Sequence, residues 1–138
     1  MNNVDKKSLI DEFYQCFMGL VNSMSKVKPR SVIGRNQSKI KNYMNHDQFR
    51  KLAIEIYIIH FIKYRSHIDR GDDSFLAEID FKEKSQGDTK VLEVIIELVA
   101  LWKKLDPPNK IMFLQHLRVM SAIAYDYLCL VDDENSKS

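Results

Sequence analysis

Glycine occurs four times in 138 residues, proline three times, cysteine twice and tryptophan once. So few turn-forming residues disfavour an all-β fold, which needs a turn roughly every 8–12 residues, and leave long helices as the expectation. No stretch of about 18 uncharged apolar residues occurs, so no segment is expected to span a membrane. The opening "MNNVDKKSLIDEF" is interrupted by acids before it can form the apolar run of a secretory signal. Cys16 and Cys129 each sit among apolar neighbours without a second cysteine at CxxC spacing. They are expected to be buried free thiols, in neither a disulfide nor a metal site. A cytoplasmic protein is the resulting expectation.

What the chain does have is 45% apolar and 29% charged residues, the make-up of an ordinary globular domain with a single core. Leu9, Ile10, Phe13, Phe17, Leu20, Val21 and Met24 recur at helical spacing and predict a helix from about Asp5 to Met24. "SKVKPRSVIGRN" breaks it, with Pro29 and Gly34 as punctuation, and Asn36 is placed to cap a short helix through "QSKIKNYM". A longer helix carries Phe49, Leu52, Ile56, Ile59, Phe61 and Ile62 and ends near "HIDRGDD". Its centre, "AIEIYIIHFI", is apolar nearly all round, the mark of a helix covered by several neighbours. Asp72 or Asp73 can cap a short helix bearing Phe75, Leu76 and Ile79 that ends near Gly87. Thr89 opens another, which Pro107 and Pro108 are expected to stop, and "NKIMFLQHLRVMSAIAYDYLCL" forms the last.

The predicted fold is all-α, a single compact bundle of five or six helices over residues 1–131, with 132–138 a flexible tail. Its core is expected to hold Ile56, Ile59, Ile95, Leu98, Trp102, Phe113, Leu117 and Ile123. The aromatic positions Phe13, Phe61, Trp102 and Phe113 match these core stripes rather than a stacking platform.

Catalytic patterns are scarce. Of the four histidines, none stands four residues from another, so the HExxH zinc arrangement is missing. His60 and His67 would lie two helical turns apart on one face if a single helix carried both. Small helical nucleases often pair an Arg with a His five or six positions on. Here Arg65 precedes His67 by two, and no His follows Arg118. There is no glycine-rich phosphate loop and no strained serine elbow. "IDRGDD" lacks calcium-loop spacing and reads as an acidic helix junction. No enzyme activity, metal or cofactor is expected.

Charge is the uneven feature. The chain as a whole is +2, yet Lys26 to Lys51 holds eight Lys or Arg against one acid, Asp47. That segment is +7 and the remainder about −5. Ile40, Tyr43 and Met44 would anchor the inner side of the short helix, with Arg35, Lys39, Lys41, Arg50 and Lys51 around it. Lys39 and Lys41 fall about 200° apart on a helix, so they cannot share one strict face. Basic side chains beside a helix start suit a phosphate. A solubilising face with no ligand accounts for the charge equally well.

The segment "NQSKIKNYM", Asn36 to Met44, resembles the "TTSKIRN" signature of the small helical subunit of type III-A CRISPR–Cas (Csm) effector complexes. "RVMSAIAY", Arg118 to Tyr125, is similar to that family's "RYMEALVAY", with Arg118, Met120 and Ala122 matching in spacing. "IHFIKYRSHIDRG" between them is loosely like "YMKVRFVYEAGRE", with "HIDRG" in place of the alanine-glycine-arginine ending. The resemblance implies a non-catalytic bundle in an antiviral ribonucleoprotein. It would contact the RNA backbone of crRNA and target together with the backbone subunits and neighbouring small subunits. By the motif match, Lys39, Lys41 and Arg118 would meet RNA phosphates; Arg35, Arg50 and Lys51 join them on charge alone. Two other readings stay open: a phage or viral nucleic-acid-binding accessory protein, and a helical interaction module with an acidic protein partner.

Overall fold

The structure is a computed structural model that describes residues 5–81 and 89–136. It is all-α, and no strand occurs among the described residues. The helices are α1 (Lys6–Val27), α2 (Val32–Arg35), α3 (Gln37–Met44), α4 (Asp47–Phe61), α5 (Arg65–Asp69), α6 (Thr89–Trp102) and α7 (Pro107–Ser136). Short 3-10 turns follow α4 at Ile62–Tyr64 and α5 at Ser74–Ala77.

α1 starts where Asp5 accepts a 2.8 Å hydrogen bond from the Ser8 amide, a side-chain N-cap. That bond holds the Asp5 carboxyl below its usual range. Leu9, Phe13, Phe17, Leu20, Val21 and Met24 then form one buried stripe. It packs against α7 and α4, whose own stripes supply Phe113, Leu117, Met120, Ala124 and Tyr127, and Ile54, Ile56, Tyr57 and Phe61. The centre of this three-helix contact is polar and satisfied. The Tyr57 hydroxyl donates to the Leu117 carbonyl at 3.0 Å and lies 2.6 Å from Ser121 Oγ. Phe13 meets the Tyr57 ring edge-on and Phe61 stacks on it. Burial pushes the Tyr57 hydroxyl well above its ordinary pKa.

Several sequence expectations change here. Ile56, Ile95, Leu98, Trp102, Phe113 and Leu117 are buried as expected, but Ile59 is 41% exposed and Ile123 only half-buried. α4 therefore has an outer side, despite its apolar sequence. Cys129 is exposed and Cys16 half-buried, so neither thiol is a core group. His60 and His67 do not share a helix face, because the 3-10 turn separates α4 from α5. Pro107 and Pro108 do not stop α6, which ends at Trp102; they occupy the first turn of α7. Pro lacks an N–H that this position would not use, and Asp106 caps the turn through the Asn109 amide at 3.3 Å. α7 runs on through Ser136, so residues 132–136 are helical where a tail was expected. Lys6 reaches Glu134 at 2.7 Å and joins that end to the start of α1. The expected helix stop near Gly87 lies outside the described residues, as do Lys137 and Ser138 of the expected tail.

At "HIDRG" the chain leaves α5 through Gly71, with φ +76°. The Asp72 amide reaches the His67 carbonyl and the Gly71 amide that of Ile68. These are the two bonds of a Schellman stop, which calls for glycine in the left-handed region. The junction is structural: Asp72 bonds the Ser74 amide and hydroxyl, and Asp73 accepts from the Trp102 indole at 3.1 Å.

Candidate nucleic-acid interface

The basic segment is held by a tight turn. After α1, the Ser31 hydroxyl donates to the Lys28 carbonyl at 2.6 Å and accepts from the Gly34 amide at 3.1 Å. A Cβ on Gly34 would stand 2.5 Å from the Pro29 carbonyl oxygen and 2.6 Å from that of Lys28. The backbone approaches there too closely for any side chain. This turn forms the four-residue α2, where the sequence suggests only an irregular break. Ile33, Ile40 and Met44 are buried against the body, and Gln37 is tied to Asn22 of α1 at 2.8 Å. With these points fixed inward, Lys28, Arg30, Arg35, Lys39 and Lys41 are left exposed. Asn36 does occupy the cap position of α3, but its side chain turns back to the Val32 carbonyl at 2.8 Å and makes no cap bond.

The six cations singled out in the sequence do not form one cluster. Arg50 is committed inside the fold. Its guanidinium lies 3.8 Å from the Tyr14 ring centroid and bonds the Met44 carbonyl, Asn45 Oδ1 and Asp11 Oδ1 at 3.1, 3.0 and 3.4 Å. It stitches the α3–α4 corner onto α1. Lys51, the next residue, is turned to another groove, shared with Lys6, Lys7, Asp47 and Tyr127. Arg118 stands on α7, where its guanidinium reaches 3.5 Å from the Ile68 and Asp69 carbonyls at the end of α5. A cation at a helix C-terminus complements the exposed carbonyls there. Arg35, Lys39 and Lys41 all stand exposed on α2–α3, with Lys39 in the groove against α6 and Lys41 about 200° round the same helix. Among the described residues, none of Lys28, Arg30, Arg35, Lys39 or Lys41 has an ion-pair or cation–π partner.

Lys39 also faces α6. Two adjoining grooves, of about 570 and 400 Å³, lie between α6 and the α1–α2–α3 turn, sharing Val32, Ile33 and Glu97. Lys39 and Lys90 line the first, and Lys28, Arg30 and Lys104 the second. The Lys90 ammonium stands 5.5 Å from the Tyr43 ring centroid, and Tyr43 stacks on Phe49. Sequence reasoning misses Lys90 and Lys104, which are far along the chain from the basic segment. Lys90 stands in the first turn of α6 and Lys104 two residues past its end, so helical spacing does not link them and only the fold brings them to the grooves.

For catalysis and metal binding the described residues offer little. No group of three His, Cys, Asp or Glu side chains among them is placed to hold a metal ion. His60 is buried beside Phe81, and His67 lies between Tyr64 and Phe75. No described helix is long and apolar enough to cross a membrane. Compared with protein-family models, with curated proteins and with solved structures, the chain matches none.

Proposed function

We propose that this protein is a non-catalytic RNA-binding subunit that lays its α2–α3 edge against an RNA backbone. The observation that carries this reading is the set of exposed cations at Lys28, Arg30, Arg35, Lys39 and Lys41. Between Lys26 and His46 no acid interrupts them, and none has an intramolecular partner among the described residues. Elsewhere Lys6, Arg50, Arg65 and Lys110 are engaged by Glu134, Asp11, Tyr125 and Trp102. Unpaired cations held on the end of α1, the turn after it and the anchored α2–α3 pair give up little intramolecular interaction when they meet phosphates, and such contacts position an RNA without reading its sequence. The motif match at Asn36–Met44 supports the small subunit of a type III CRISPR–Cas ribonucleoprotein as the setting, with crRNA and target RNA and the neighbouring subunits as partners. Arg50 is outside the proposed contact set because its guanidinium holds α1. Arg118 and Lys51 would contribute only through separate contacts.

The test is RNA affinity of the parent and of an Arg35→Glu, Lys39→Glu, Lys41→Glu variant, on single-stranded and duplex RNA of unrelated sequences. The expected result is a loss of affinity common to all sequences and steeper at low salt. Absence of RNA binding by the parent at about 50 mM salt, alone and with co-purifying partners, would overturn the proposal.

A further inference from the structure

We infer that the paired grooves between α6 and the α1–α2–α3 turn dock an amphipathic α-helix with acidic flanks from a partner protein. Their floor is apolar, built from Ile33, Ile40, Val94 and Leu101, and Val32 stands between them at 40% exposure. Together they run along α6 from Lys90 at its start to Lys104 just past its end, about 20 Å or three to four helical turns. A trough of that length and lining matches a helix that buries side chains at i, i+3 or i+4 and i+7. The rim decides the charge of the occupant. Lys28, Arg30, Lys39, Lys90 and Lys104 line its two halves, which favours Asp and Glu on the flanks of the docked helix.

The same residues decide against a nucleic-acid strand in this trough. Glu93 and Glu97 lie between the cations, and Glu97 is half-buried where the two grooves meet. A phosphate chain running through would meet both carboxylates, while an amphipathic helix can set a hydrogen-bond donor opposite Glu97. Lys28, Arg30 and Lys39 belong both to this rim and to the proposed RNA edge, so helix and RNA would compete for them; the uncharged Val32 and Ala100 of the trough tell the two occupants apart.

The experiment is selection from a displayed library of helical peptides about four turns long, using the whole protein as bait. Val32→Asp and Ala100→Trp serve as controls, because both positions are exposed and substitution there should leave the helical circular dichroism unchanged. Enriched peptides should carry apolar residues at i, i+3 or i+4 and i+7 with Asp or Glu beside them. They should bind both controls about tenfold or more weakly. Lys90→Glu combined with Lys104→Glu should reverse the flank preference to basic. Enrichment equal on the parent and the controls would overturn the inference, as would basic or indifferent flanks on the parent. So would an RNA oligonucleotide whose own affinity depends on Val32, which would put nucleic acid in the trough.

Discussion

Where α1 meets α4 and α7, Phe13, Phe17, Val21, Ile56, Tyr57 and Phe113 are at most 1% exposed, and the Tyr57 hydroxyl is bonded to Leu117 and Ser121. Where α2 and α3 face α6, Val32 is 40% exposed, and the cations of α2–α3 have no partner among the described residues. The first region has spent its interactions on itself. The second is held in shape by a few anchors, Ile33, Ile40, Met44 and the Ser31–Gly34 turn, and leaves its charge and part of its apolar surface outward. If the second side binds RNA as proposed, substitutions on the two sides should separate stability from binding.

The largest effect belongs to the folded side. Ile56→Asp buries a carboxylate with no partner and should cost about 3–5 kcal/mol, enough to remove the cooperative melt followed by circular dichroism. The Arg50 and Lys51 pair sharpens the comparison within one step of sequence. Arg50→Ala breaks bonds to three groups and the stack on Tyr14, and should lower stability by about 1.5–3 kcal/mol in a denaturant titration. Lys51→Ala should stay within about 0.5 kcal/mol. Gly34→Ala tests the anchor of the proposed binding side. The new methyl must displace the Pro29 or Lys28 carbonyl, at about 1–3 kcal/mol, with loss of RNA binding as the turn opens.

Tyr57 gives a smaller, pH-dependent effect. Below its ordinary value of 10.0 both folded and unfolded chains keep the phenol proton, so this group adds no pH dependence. Above that value the unfolded chain loses the proton while the folded chain retains it, because burial disfavours the phenolate. Stability should therefore fall as pH rises past 10.0, by up to about 1.4 kcal/mol per pH unit for this one group. Denaturant titrations of the parent and Tyr57→Phe between neutral pH and pH about 11 should differ by that slope. Parallel curves would mean that Tyr57 is not sealed in the core.

The long helices are legible because burial writes a stripe into sequence: Leu9 to Met24 in α1 and Phe113 to Leu128 in α7 fall at helical spacing. Where burial is not the cause, sequence reasoning fails. α2 is four residues long, too short for periodicity, and depends on a carbonyl approach at Gly34 that only coordinates reveal. The end of α7 is polar and carries no stripe, and the Lys6–Glu134 contact across the fold is invisible locally. Ile59 looks like a core residue by type, yet the helix turns it outward. The candidate site is half legible. Charge density finds Arg35, Lys39 and Lys41, but it cannot distinguish a cation spent on Tyr14 and Asp11 from one left in solvent. Nor can it bring Lys90 beside α3, or Lys104 beside the turn between α1 and α2.

The smallest effect on stability is tied to the largest on function. Lys39→Glu with Lys41→Glu should change folding stability by less than about 0.5 kcal/mol, since exposed helix charges contribute only through local pairs. The decisive measurement is the slope of log affinity against log salt for single-stranded RNA, taken for parent and double variant alongside their melting curves. The melts should superimpose, and the slope should be flatter by about 0.7 for each phosphate that the variant no longer neutralises. Equal affinities and equal slopes, with the fold intact, would contradict the proposed RNA contact and leave the basic edge as a solvated surface.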